Sequence, residues 1–193
     1  MDQSNQAFLY LAVLVSIIFG LAIQQILLGY RNMILSKGGR RWSYSILLWS
    51  IIVLLIISQN WWESFGLVGR EGWTFLAFSI ILAQAIIIFL LAAVIFPRSE
   101  SDETIDLERH YQDRRVAIYA IAAAYVISSP LRAWVVDGAI LPVLDWIFHG
   151  VFLALFVLLA SVRNSIVHRV GISSVMALFV VYIATMTPVL ASA

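Results

Sequence analysis

The sequence predicts an all-α, polytopic integral membrane protein: a bundle of six transmembrane helices in one domain, with both termini outside. Three observations carry this fold class. Of 193 residues, 62% are hydrophobic and only 12% charged, where soluble domains hold about 45–50% apolar and about 25% charged residues. The apolar residues gather into six segments, each near the roughly 20 residues that cross the hydrocarbon core as a helix. The basic residues fall almost wholly on one side of those segments.

The spans run from about 7–29, 44–62, 73–96, 116–136, 140–160 and 166–190. The first reads as a retained span and not a signal peptide, because Met1 to Gln6 carries no positive charge and the apolar run is too long for a signal core. The second is the shortest, and Trp61 and Trp62 carry it into the interface. None of the segments shows the alternation of a barrel strand, and isolated strands cannot span lipid. Together the spans leave no room for a separate water-soluble domain.

Orientation follows from the charges. Arg31, Lys37, Arg40 and Arg41 lie between the first two spans. Arg98, Arg109, Arg114 and Arg115 lie between the third and fourth, and Arg163 and Arg169 follow the fifth. These are ten of the twelve Lys and Arg residues; Arg70 and Arg132 stand on the other side. The three basic loops are therefore expected in the cytosol. Trp61, Trp62, Trp73, Trp134 and Trp146 then fall at outer ends, where amphipathic rings favour the interface.

The longest connection, 97–115, is charged. Thr104 is a candidate helix cap there, with Asp106 and Glu108 early and Arg114 and Arg115 later, an order that suits the helix dipole. Arg109 and Asp113 are spaced as an i,i+4 pair. The fourth span is thus expected to begin as a helical extension. Asp106, Glu108, Arg109 and Arg114 are the candidates for contact with a cytosolic protein partner; the bland alternative is a solvated charged stretch.

The runs LAIQQILLGYRNM, SQNWW, GWTFLAFSIIL and DLERHYQDRR resemble small six-span membrane proteins of bacteria, over roughly Gly20 to Val116. The resemblance implies a multi-pass place in the bacterial inner membrane. It implies no catalytic residue.

Polar groups inside a bilayer are costly and mark candidate sites. His149 lies nine residues into the expected fifth span, roughly 13 Å along it, with Asp145 one turn earlier on the same face. Asp145 is placed to accept a hydrogen bond from the imidazole or to stabilise its charged form. Arg132, just after Pro130, is a possible counter-charge or a snorkelling anchor. Asn60, at the end of the second span with Ser58 and Gln59, and Gln84, mid-way along the third, complete the pocket or pore candidates. Thr185, Thr187 and Pro188 end the sixth span on the same side. A shared outward-facing polar cavity would explain this distribution. Gln24 and Gln25 read as packing amides, and Ala120, Ala124 and Ser128 as a small-residue stripe for helix contact.

Several chemistries are disfavoured. There are no cysteines, hence no disulfide, thiolate metal site or iron–sulfur ligation. The only lysine, Lys37, sits in a loop, unsuited to a retinal Schiff base. His110, His149 and His168 differ in depth and make a poor haem pair. No common zinc, serine hydrolase, P-loop or dinucleotide motif occurs. A net charge of +1 shows no overall preference for nucleic acid. No cofactor, metal or enzymatic activity is therefore expected. The expected function is a channel or transporter for an ion or small solute. The alternative is a non-conducting membrane sensor or assembly subunit, a homo-oligomer that engages a cytosolic or membrane partner.

Overall fold

The structure, a computed structural model, describes residues 3–36, 40–70, 72–97 and 105–186. Long runs of Leu, Ile, Val and Ala leave the backbone to satisfy its own polar groups, and helices result. They are α1 (Gln3–Leu35), α2 (Tyr44–Ser64), α3 (Phe75–Ile95), α4 (Leu107–Arg132), α5 (Val143–Ser161) and α6 (Ser165–Met186). All six are long and apolar enough to cross a membrane. Among the described residues the fold is all-helical apart from a two-residue parallel bridge that pairs Arg40 with Ile105 and Arg41 with Asp106.

The ends differ from the sequence expectation where a cap or a proline intervenes. Thr74 accepts a hydrogen bond from the Ala77 amide, so α3 starts after Trp73. Asp106, and not Thr104, caps α4 through the Arg109 amide; Thr104 itself lies outside the described residues. Pro142 precedes α5 and its carbonyl receives the first amides, so the helix begins at Val143 and not at 140. The expected end of the sixth span, with Thr187 and Pro188, lies outside the described residues, as do Lys37 and Arg98.

α3 lies between α1 and α4, α4 also packs on α5, and α2 packs on α3, α4 and α6. Two glycines set the closest approaches. A methyl on Gly29 would overlap the Phe96 ring, and one on Gly171 would overlap Leu159. Trp49, Ile88, Ile118, Tyr119 and Leu159 are buried at the centre. Ile17, Leu21, Val157, Leu158 and Val180 face outward. A protein this apolar outside as well as inside has the surface of a membrane protein.

Pro130 sits inside α4 and donates no amide to the preceding turn. Directly after α4 the winding loosens into a π-helical segment, Ala133–Asp137, which Gly138 ends at a left-handed φ of 63°. The helix thus runs through Pro130, and the change of winding follows Arg132.

Candidate functional site

The polar residues of α2 repeat every turn near its end, which places Gln59 and Glu63 on one face. Gln59 Nε2 donates to Glu63 Oε1 at 3.0 Å. The other carboxylate oxygen of Glu63 receives Arg132 from α4 at 2.8 Å. Arg132 is thus neither a snorkelling anchor nor the partner of Asp145. Its side chain is only 15% exposed and spent on Glu63. Asp137, its neighbour in sequence, pairs with Arg70 at 3.3 Å.

Beneath this ion pair, Asn60 donates to the Tyr125 hydroxyl at 2.7 Å. Gln84 of α3 donates to Ser128 Oγ at 3.2 Å, and Ser128 in turn donates to the Tyr125 carbonyl. On α5, His149 Nδ1 lies 3.1 Å from Asp145 Oδ1 and 2.8 Å from the Asp145 carbonyl oxygen. The carbonyl can only accept, so Nδ1 carries the proton and directs it there. Asp145 Oδ1 is left without a hydrogen-bond partner. Tyr182 of α6 brings its hydroxyl to the Asp145 carboxylate and sets its ring edge-on to His149, centroids 6.2 Å apart. His149 is six residues after Val143, roughly 9 Å along α5, and so shallower than the sequence reading placed it.

These groups surround one cavity of about 60 Å³. A buried water needs roughly 10–15 Å³, so the space holds a few. Gln59, Glu63, Gln84, Tyr125, Ser129, Arg132, His149 and Tyr182 supply polar lining from five helices, α2 to α6. Along α2 the lining extends from Glu63 down to Trp49, roughly 21 Å of helix. The deep part is aromatic and aliphatic, with Phe152, Phe156 and Phe179 on the wall. Gln59 Oε1 and Arg132 Nε are buried and have no protein partner. An acceptor and a donor left open beside a cavity suit a polar solute or ordered water.

Of the sequence candidates, Arg132, His149 and Gln84 line this cavity together. Asn60 supports it through Tyr125, and Asp145 stands behind His149. Ser58 and Thr185 do not join them; both are exposed and bond to their own helix carbonyls. Glu63, Tyr125 and Tyr182 were not singled out in the sequence. The usable signal for Glu63 was its i,i+4 spacing from Gln59, hidden because the second span was ended at Trp62.

A second polar cluster sits at the other end of the bundle. His168 is fully buried. Its Nε2 lies 2.8 Å from the Val162 carbonyl and must donate; its Nδ1 then accepts from Tyr111 Oη at 2.7 Å. Tyr111 Oη lies 2.8 Å from Tyr119 Oη, which donates in turn. This chain ties α4 to α6 with every proton assigned, a packing device in form.

The partner-loop candidates are largely used within the chain. Asp106 caps α4 and lies 3.8 Å from Arg41. Glu108 accepts from Ser43 at 2.8 Å. Arg109 and Asp113 form the expected pair at 3.9 Å, both well exposed. Arg114 is exposed. Gln24 faces out of the bundle instead of bonding across it, and Ala120 and Ala124 are exposed as well.

Among the described residues no group of three His, Cys, Asp or Glu side chains could hold a metal ion. No family model, curated protein or solved structure matches this chain.

Proposed function

We propose that the protein is a multi-pass inner-membrane channel or transporter for an ion or small solute. The cavity is its path. The observation that carries this reading is the convergence of polar side chains from five helices on one internal space, with Gln59 Oε1 and Arg132 Nε of two lining residues unpartnered. A bundle that needed only stability would fill such a space, because polar groups among apolar helices contribute little unless paired. With the basic loops read as cytosolic, both termini lie outside and the Glu63–Arg132 end of the cavity faces outward.

Flux into liposomes tests the proposal. Reconstituted protein should pass a small ion or solute, and His149→Ala or Asp145→Asn should change its rate at least several-fold. No flux of any common ion or small solute, with both variants like the wild type, would overturn it.

A second reading has its own support. Ala120 and Ala124 form a small-residue stripe on the outer face of α4, open to another helix. A non-conducting subunit would use that stripe to form a homo-oligomer, and Arg109 and Arg114 to reach a cytosolic partner. Cross-linking in native membranes tests it: a dimer lost in Ala124→Leu supports the stripe, and a monomer throughout removes it.

A further inference from the structure

The cavity's charges do not balance. Glu63 on the lining and Asp145 behind His149 supply two carboxylates, and Arg132 supplies one guanidinium. Arg132 is already bound to Glu63 at 2.8 Å. Asp145 is nine-tenths buried, and its Oδ1 has no hydrogen-bond partner. The N-terminal turn of α5, to which Asp145 belongs, offsets part of its charge, on the order of half a unit. Among the described residues, titratable groups from three other helices lie around the Asp145–His149 pair. Glu63 comes from α2, Tyr125 and Arg132 from α4, and Tyr182 from α6. The site is therefore short of one positive charge in surroundings where an uncompensated charge is costly.

Two species can supply it. His149 holds its first proton on Nδ1, against the Asp145 carbonyl, so a second proton goes to Nε2. A small cation can instead take the open carboxylate oxygen of Asp145, a group that Tyr182 also faces. The imidazole nitrogen and that oxygen are 3.1 Å apart, so both charges cannot be accommodated together. We propose that Asp145 and His149 form one site that binds either a proton or a monovalent metal cation, and that the two exclude each other. The proposal rests on reading the cavity as an ion path and names its substrate class.

The test is proton release from the purified, detergent-solubilised protein. A pH indicator follows additions of lithium, sodium or potassium chloride, with choline chloride as the ionic-strength control. At a pH about one unit below the ordinary histidine value of about 6.5, saturating cation should release close to one proton per chain. The apparent cation affinity should weaken about tenfold for each pH unit further into acid. Asp145→Asn and His149→Gln should each abolish the release. If none of the three cations releases more protons than choline does, the proposal is overturned, whatever the variants do. Proton release without cation flux in liposomes would uphold the site and remove the transport reading. Flux of a neutral solute without proton release would do the reverse.

Discussion

Arg132 Nη1 rests 2.8 Å from Glu63 Oε2, across 69 positions of sequence. The contact joins the last turn of α2 to the last turn of α4. Both residues line the cavity, and the contact engages the Arg132 guanidinium there.

Breaking that pair on one side should leave a partly buried charge uncompensated. Arg132→Gln and Glu63→Gln are each expected to cost about 2–3 kcal/mol, below the 3–5 typical of fully buried pairs because both side chains keep some exposure. The double variant should recover much of this, since no lone charge remains. Thermal unfolding in detergent measures all three, and additive losses in the double variant would show that the two residues do not depend on each other.

Filling the cavity should stop transport without unfolding the protein. Ala122 is buried and lines the cavity on α4. Ala122→Leu is expected to reduce flux at least tenfold while changing stability by no more than about 1–3 kcal/mol. Liposome flux and thermal unfolding on the same preparation check it. Undiminished flux would move the path elsewhere.

The α1–α3 contact at Gly29 offers a steric prediction with an internal control. Gly29→Ala should cost about 1–3 kcal/mol, because its methyl group meets the Phe96 ring. Gly20, on the same helix, has nothing within 4 Å of an added methyl. Gly20→Ala should therefore stabilise by about 0.5–1 kcal/mol through helix propensity alone. The difference in melting temperature between the two variants is the measurement.

Tyr111→Phe should be among the more damaging conservative changes. It removes the donor to His168 Nδ1 and the acceptor of the Tyr119 proton at one stroke. Both residues are buried, so two groups are left unsatisfied, at about 1–3 kcal/mol each. Tyr119→Phe removes only the donor to Tyr111 Oη, which keeps its bond to His168, and is expected to cost about half as much. Equal losses for the two variants would mean that the proton assignments run differently.

The sequence by itself determined what a one-dimensional pattern can carry. Apolar runs indicated six helices in this order along the chain, and the i,i+4 spacing put Asp145 beside His149. These are properties of a single helix and need no knowledge of its neighbours. Errors arose at ends, where a cap such as Asp106 or a proline such as Pro142 decides the boundary within one turn. Only the tertiary structure decided how the helices are rotated. Rotation sent Gln24 and Ala124 outward, turned Arg132 toward Glu63 and not Asp145, and brought Tyr125 and Tyr182 into the cavity. An apolar helix in apolar surroundings has no hydrophobic face to orient it. Its rotation is set by close packing, as at Gly29 and Gly171, and by a few long-range polar contacts. Those depend on residue pairs far apart in the chain.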